Sequence, residues 1–389
     1  MHPTFHRDRF TWLAYLALAI YAYFLNILGP ITPFLKSELN LTYTVSSLHF
    51  TAFAVGILLV GFAGHLVIHR LGRGRSLWVG LFGMSLSALL LIVGKDPLVT
   101  ITASFLMGLV GSLILAVVPA ALADRHGEMR AVAFSEANLL SSLFSTAAPL
   151  LVGWFAASIG WQWALGVMAS VPVLMFPGLR NNSSQEDVPG LTENKRMNRP
   201  LPALFWVYWL GIVLGVAVEF CMVFWSADYM EQVWGLAKAD AARAVSIFLA
   251  AMILGRLIGS NLVQRFSTRS VVTSSLLVAA IGFLLFWRAP GTAAGLTGLF
   301  ITGLGVANFY PLLLSLAIGA ANGDTTQAGA RATLASGTAI LILPLSLGSL
   351  ADSTGIHQAY GIVVLLLIGI LLIQLVAQRL SLAKGMVTE

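Results

Sequence analysis

Long apolar runs alternate with short polar or Gly/Pro-rich breaks along almost the whole chain. Each run has about the length, roughly 20 residues, that an apolar helix needs to cross a bilayer. The pattern therefore predicts twelve membrane-spanning helices. Their approximate bounds are 11–35, 45–69, 76–94, 98–122, 131–157, 161–178, 203–227, 239–264, 270–287, 292–319, 328–350 and 357–378.

One polar stretch, residues 179–200, is much longer than the other breaks. It is rich in Asn, Ser, Glu, Asp and Pro, a composition typical of a solvated linker. Because it follows the sixth apolar run, it predicts an N-terminal six-helix bundle over 1–178, a cytoplasmic linker over 179–200 and a C-terminal six-helix bundle over 201–389. The expected fold class is an all-α polytopic membrane protein.

Composition supports the membrane interpretation. Hydrophobic residues make up 58% of the chain and charged residues 10%, whereas a soluble globular protein has about 25% charged residues. So few charges cannot cover the surface of a soluble protein of this length, which excludes a soluble enzyme, a nucleic-acid-binding protein and a disordered chain.

The membrane topology accounts for the net charge of +6. Most Lys and Arg residues fall on one side of the membrane if the N-terminus is cytoplasmic, as the positive-inside rule expects. This placement predicts a multi-pass protein of the plasma (cell inner) membrane with both termini in the cytoplasm. The bilayer, and not nucleic acid, is the expected partner.

The two halves of the sequence resemble each other at a constant shift of 195 residues. The shift aligns Phe53 with Phe248 and Gly108 with Gly303, and it also aligns Arg70 with Arg265. Parallel six-helix repeats place a substrate site near mid-membrane. The alternative is that membrane helices generally share small residues for packing.

A short basic turn, formed by Arg70, Gly72, Arg73 and Arg75, follows the second predicted helix. Its Arg-x-Gly-Arg sequence resembles the signature Gly-x-x-x-Asp-Arg-x-Gly-Arg of the major facilitator superfamily, although His69 stands where that family has Asp. A degenerate second copy lies at 264–269. The resemblance implies a secondary transporter that works by alternating access.

The fifth predicted helix contains Pro149 and Gly153, which resemble a Gly-Pro-rich motif of drug–proton antiporters in the same family. Pro344 and Gly348 repeat the pattern in the eleventh helix. We expect these four residues to kink their helices. Packing alone is the alternative to an antiporter signature.

Ionisable residues inside predicted spans are functional candidates. Glu219, expected toward the outer half of the seventh helix, is the preferred proton-coupling residue, and a structural ion pair is the alternative. Arg256 of the eighth helix keeps its charge and needs an anionic partner. It contacts either the substrate or Glu219, and a structural bridge is the alternative. Arg256 and Glu219 are expected to differ in depth by about 10 Å across the core.

The family resemblance also implies that helices one, four, seven and ten line a central cavity. Besides Glu219, these helices offer amide, hydroxyl and aromatic groups that suit an organic solute. Interfacial anchoring or helix packing is the alternative for each of them. They are Tyr23, Asn26, Ser112, Trp225, Asn308 and Tyr310.

Opposite charges occupy equivalent positions near the cytoplasmic ends of the fifth and eleventh helices, Glu136 and Arg331. They suit a cytoplasmic gate that includes the basic turn, for example with Glu136 bound to Arg265. Surface ion pairs of small energy, below about 1 kcal/mol, are the alternative.

These features predict a proton-coupled carrier of a small organic solute, with a sugar or other polar metabolite preferred. Export of amphipathic drugs by a proton antiporter is the alternative, and a receptor without transport is a more distant one. The sequence has no nucleotide-binding loop and no metal constellation. We therefore expect no cofactor, no bound metal and no enzymatic activity, and a monomer whose partners are lipid, a small-molecule substrate and protons.

Overall fold

The structure is a computed structural model that describes residues 6–179, 201–321 and 325–383. Regular secondary structure in these residues is entirely helical. Nearly all of the predicted linker lies outside the described residues.

Six long helices precede the linker and eight helices, some of them short, follow it. The first six are α1 (Arg9–Glu38), α2 (Tyr43–Leu71), α3 (Arg73–Val93), α4 (Pro97–His126), α5 (Arg130–Ala156) and α6 (Gln162–Leu179). The others are α7 (Ala203–Trp234), α8 (Lys238–Leu262), α9 (Thr268–Trp287), α10 (Thr292–Val306), α11 (Phe309–Gly319), α12 (Thr325–Thr354), α13 (Ile356–Ala359) and α14 (Ile362–Ala383).

Eleven apolar helical segments in the described part of the chain are long enough to cross a membrane. One of them, Pro97–Ala156, contains both α4 and α5, and each of these exceeds the roughly 20 residues of a single span. Another segment, Thr292–Gly319, combines α10 and α11. The all-α polytopic fold is therefore confirmed, while the count of twelve spans stays a prediction.

Contacts between Cα atoms divide the chain into two units. The first comprises Met1–Thr192 with Lys238–Arg243, and the second comprises Glu193–Ala237 with Ala244–Glu389. In the first unit α1 packs mainly against α5 and α4, and in the second α7 packs against α12, α14 and α11. Since α1 and α7 are surrounded by partner helices, most of their residues are buried.

Glycines bring helices into close contact in the same way within each unit. A Cβ atom on Gly108 would lie 2.1 Å from the carbonyl oxygen of Phe53, so α4 meets α2 at backbone distance. In the second unit a Cβ atom on Gly303 would lie 2.5 Å from the carbonyl oxygen of Phe248. The two contacts are related by the 195-residue shift, and they use the small-residue packing that membrane helices favour.

The prolines expected to kink α5 and α12 do not interrupt either helix, and the kinks themselves stay a prediction. α5 continues through Pro149 and α12 continues through Pro344. A helix break that was not predicted lies at Ala307–Asn308, between α10 and α11. Pro311 explains it, because a proline lacks the N–H that would bond to the carbonyl four residues earlier and its ring crowds that carbonyl.

Of the glycines paired with those prolines, Gly153 lies at a close contact between helices. A Cβ atom on Gly153 would meet neighbouring atoms at 2.2 Å, and Gly348 is buried on α12.

Candidate functional site

Glu219 lies at the middle of a long helix. α7 extends to Trp234, seven residues beyond the predicted end, and is closed by Gly235 at a φ of +69°. Glu219 is therefore residue 17 of 32 in this helix. The helix is longer than predicted because polar Asp228 and Glu231 made the apolar run look shorter than it is. The depth of Glu219 in the bilayer, expected toward the outer half, stays a prediction.

Glu219 and Arg256 lie at similar depth. Counted from the short connection between α7 and α8, Glu219 is 15 residues back from Trp234 and Arg256 is 18 residues on from Lys238. At 1.5 Å per residue these are depths of about 22 and about 27 Å. The two charges differ in depth by about 5 Å, about half the expected value, and they interact electrostatically.

Tyr310 joins this pair from α11. Gly211 and Gly215 of α7 pack closely against α11, where a Cβ atom on Gly215 would lie 2.9 Å from Cβ of Phe309. One helical turn further, Glu219 therefore faces the start of α11. The Tyr310 hydroxyl interacts electrostatically with Glu219 and shares a hydrogen bond with Ser336 of α12.

We call Glu219, Arg256, Tyr310 and Ser336 the Glu219 cluster. It lies beside the break between α10 and α11 and combines a carboxylate, a guanidinium and two hydroxyl groups. Such a set can exchange a proton and can form hydrogen bonds with a polar ligand. Sequence reasoning missed Ser336, because a serine in a small-residue-rich helix carries no distinguishing signal.

A second acid, Asp228, lies in the part of α7 beyond the predicted end. Its side chain is fully buried, and it interacts electrostatically with Tyr360. α7 thus contains a second acid besides Glu219, within the part of the helix that the apolar pattern did not predict. Asp228 is nine residues from Glu219, and at 100° per residue the two acids point to opposite faces of α7.

Two other candidates in the second unit bind protein groups. The indole N–H of Trp225 donates to the carbonyl of Pro344 at 3.1 Å. The Asn308 amide, at the helix break, donates to the Gly255 carbonyl at 3.2 Å and to the Ser275 hydroxyl at 3.3 Å. Both side chains are buried, so these bonds hold α7 to α12 and the α10–α11 break to α8 and α9.

The candidates in the first unit are likewise buried and engaged. The Tyr23 hydroxyl donates to the carbonyl of Ala164 at 2.8 Å, and the Asn26 amide donates to Ser145 at 3.1 Å. Ser112 donates to the carbonyl of Gly108 at 2.6 Å. These contacts correspond to the packing alternative, and a substrate role for the three residues stays a prediction.

Glu136 has a partner that the sequence did not suggest. Arg7 donates to both of its carboxylate oxygens, at 2.8 and 2.5 Å, and the Tyr15 hydroxyl donates at 3.3 Å. A gate pair between Glu136 and Arg265 stays a prediction. Arg331 is exposed on α12, and its carbonyl accepts a hydrogen bond from Trp209 at 2.8 Å.

A second charged group at the same end of the first unit is centred on Asp8. Asp8 caps α1 by accepting from the Thr11 amide at 2.8 Å and from its hydroxyl at 2.7 Å, and it forms an ion pair with Arg125 of α4. Partial burial acts to raise the pKa of Asp8, but the hydrogen bonds and the Arg125 charge outweigh it and lower the pKa below its usual value. Because the Thr11 hydroxyl donates its hydrogen bond to Asp8, it accepts one from His126. Nε2 of His126 is therefore the donor in their 2.9 Å contact.

The basic turn has an acidic partner on α4. Gly72 adopts a φ of +80°, which lets α2 end and α3 begin at once. Arg73 then forms a 2.6 Å ion pair with Asp124. Asp124 thereby supplies a carboxylate to a turn in which His69 replaces the acid of the family signature. Arg70 and Arg75 are exposed.

Comparison with known proteins gives consistent results. Residues 14–241 match the family model described as Major Facilitator Superfamily. An uncharacterized MFS-type transporter of Yersinia pestis is 29% identical over 170 residues, or 42% of this chain and 43% of that protein, so the match spans less than half of the relative. A glucose/galactose transporter of Brucella abortus is 26% identical over 356 residues, 84% of each chain.

Solved structures share the fold. A bacterial homologue of the human lysosomal transporter Spinster superposes with a TM-score of 0.76 at 15% identity, covering 97% of this chain and 98% of that one. A nucleoside transporter superposes with a TM-score of 0.75 at 10% identity, covering 95% and 98%. At these identities the likeness describes the fold alone.

Proposed function

The chain belongs to the major facilitator superfamily of membrane transporters, and we propose that it is a proton-coupled carrier of a small polar organic solute, with a sugar as the preferred cargo. In this proposal Glu219 takes up and releases the coupled proton. The carrier works by alternating access in the cell inner membrane, as a monomer with both termini in the cytoplasm.

The Glu219 cluster is the observation that carries this proposal. A carboxylate at the middle of a membrane helix is costly to keep there and marks a functional site. The neighbouring guanidinium of Arg256 favours the charged carboxylate, and proton binding weakens that interaction. A proton at Glu219 would therefore change how the cluster presents donors and acceptors to a ligand.

A polar cargo fits the chemistry of the cluster. Its hydroxyl groups and the Arg256 guanidinium are hydrogen-bonding groups of the kind that recognise sugar hydroxyls. The Brucella abortus relative named as a glucose/galactose transporter supports a sugar over other solutes.

Export of amphipathic compounds in exchange for protons is the second candidate. It rests on Pro149 and Gly153 of α5, which resemble an antiporter motif in a reduced form. The continuous path of α5 through Pro149 does not distinguish the two candidates.

The coupling role is tested in proteoliposomes with an imposed pH gradient. Glu219→Gln should abolish gradient-driven accumulation of cargo while exchange of cargo across the membrane continues. Glu128→Gln, which changes an exposed carboxylate in the α4–α5 connection, is the matched control and should accumulate cargo normally. Undiminished accumulation by Glu219→Gln would refute the assignment.

The cargo is found by thermal unfolding of the purified protein with sugars, organic acids and lipophilic cations. A ligand that binds the folded state alone raises its stability, by about 2.7 kcal/mol at a concentration one hundred times its dissociation constant. We expect stabilisation by sugars. Stabilisation by lipophilic cations alone, lost in Glu219→Gln, would favour drug export instead.

A further inference from the structure

Two histidines, His65 and His69, lie four residues apart near the C-terminal end of α2. Both are exposed. Within the described part of the chain, no hydrogen bond or ion pair involves either imidazole ring. Neither residue belongs to the Glu219 cluster or to the ion pairs at the end of the first unit, so both rings are available for another role.

Helix geometry places the two rings side by side. Residues four apart in a helix share one face, with Cβ atoms about 5–6 Å apart. Neutral imidazole is the commonest nitrogen ligand for zinc, copper and nickel ions in proteins. Two imidazoles at this spacing can bind one metal ion together.

The position of the pair along α2 keeps it within reach of water. The 29 residues of α2 span about 43 Å, about 13 Å more than a bilayer core of about 30 Å. His69 lies two residues and His65 six residues before Leu71, about 3 and about 9 Å from the end of the helix. Because the exposed charges of Arg70 and Arg75 keep this end of α2 at the water, we expect both histidines to lie at or near the interfacial region.

The charges around the pair partly oppose and partly favour a cation. Arg70 is adjacent and exposed. Arg73 is held by Asp124. The C-terminal end of a helix carries a partial negative charge, which favours a bound cation within the last turn.

Contrary to the expectation from the sequence that no metal is bound, we propose that His65 and His69 form a binding site for one divalent transition-metal ion, with water completing its coordination. The site lies immediately before the basic turn. It is separate from the transport function proposed above and does not depend on it.

The proposal is tested by titrating untagged, detergent-purified protein with Ni²⁺ and Cu²⁺ in a calorimeter. One ion should bind per chain, with Cu²⁺ tighter than Ni²⁺ and Mn²⁺ far weaker, as imidazole ligands dictate. His65→Ala and His69→Ala should each weaken binding at least tenfold, because a chelate needs both rings. Equal binding by either variant and the unchanged protein would overturn the proposal.

The control uses another pair of histidines at the same spacing. A double variant, His2→Ala with His6→Ala, removes the N-terminal pair and should bind metal normally. Loss of binding in this double variant would place the metal at the N-terminus and overturn the proposal. Because His65 and His69 are exposed, their variants should keep the thermal unfolding temperature of the unchanged protein in the absence of metal.

Discussion

At the scale of single residues, the acids of this protein divide by the partners that hold them. Asp8, Asp124 and Glu136 each bind an arginine near the end of the first unit. Glu219 interacts with Arg256 in the middle of a membrane helix, where desolvation makes any charge costly. The first three acids can stabilise the fold through ordinary ion pairs, whereas the cost of placing Glu219 within a membrane helix indicates a functional role.

The Glu219–Arg256 interaction is measurable with a double-mutant cycle. Arg256→Gln and Glu219→Gln should each lower thermal stability in detergent, and the double variant should recover part of the loss, with a coupling energy of about 0.5–3 kcal/mol. Independent, additive losses would show that the two side chains do not depend on each other. Proton-driven transport is then measured with the double variant. Transport that persists would indicate a structural pair, and its loss would indicate that Glu219 is a coupling residue.

Asp8 should make the stability of the protein sensitive to acid. Its folded-state pKa is lowered, so its contribution is fully present above the unfolded-state pKa of about 3.9 and is lost as the pH falls through the folded-state pKa. Thermal unfolding temperatures measured between pH 6 and pH 3 should fall less steeply in Asp8→Asn than in the unchanged protein. An identical slope would contradict this role.

A second substitution at this position separates its two contributions. Asn remains a good helix cap but cannot pair with Arg125, whereas Ala can do neither. At pH 7, Asp8→Ala should be about 1 kcal/mol less stable than Asp8→Asn. Equal stability of the two variants would mean that the cap contributes nothing.

At the scale of helices, the repeat is expressed as close contacts between backbones. Because the Phe53 and Phe248 carbonyl oxygens cannot move far, Gly108→Ala and Gly303→Ala should each destabilise the protein by about 1–3 kcal/mol. Gly166→Ala in α6 is the matched control, since its nearest neighbour would lie 4.0 Å from the new Cβ atom. Equal thermal unfolding temperatures for the three variants would contradict the packing argument.

Helix ends and breaks show what the sequence can and cannot predict. Apolar runs predict most spans, because the bilayer requires about 20 apolar residues in each. The end of α7 was missed because Asp228 is buried by tertiary contacts that no local pattern reveals. The break before Phe309 was also missed, although Pro311 is a readable signal, because this proline is not repeated 195 residues earlier, where the chain has Ala116.

The candidate site was predicted less completely than the fold. Glu219, Arg256 and Tyr310 were all recognisable as polar groups inside apolar spans, and the structure brings them together. Ser336 joins them only through the way α12 packs on α7, which local sequence does not encode. Asn308 and Trp225 were also recognisable as polar groups, but the structure uses them for hydrogen bonds between helices.

At the scale of the whole molecule, the chain first passes from one contact unit to the other at Thr192 and Glu193, within the predicted linker, and only Lys238–Arg243 returns to the first unit. A chain whose contacts lie mostly within such units should not need a continuous backbone between them once it has folded. We therefore expect that a protease site inserted within 179–200 can be cut in the purified protein with little loss of transport in proteoliposomes. The two fragments should also remain together through purification in mild detergent, because Lys238–Arg243 of the second fragment belongs to the first unit.

A cut inside one unit is the matched control for this prediction. The connection between α8 and α9, residues 263–267, is short and lies within the second unit. Cleavage there separates helices that share a packed core, so thermal stability should fall by several degrees, as a loss of about 1 kcal/mol would already produce. If cleavage in the linker abolished transport while cleavage at 263–267 did not, residues 179–200 would be part of the transport machinery and not a spacer between two bundles.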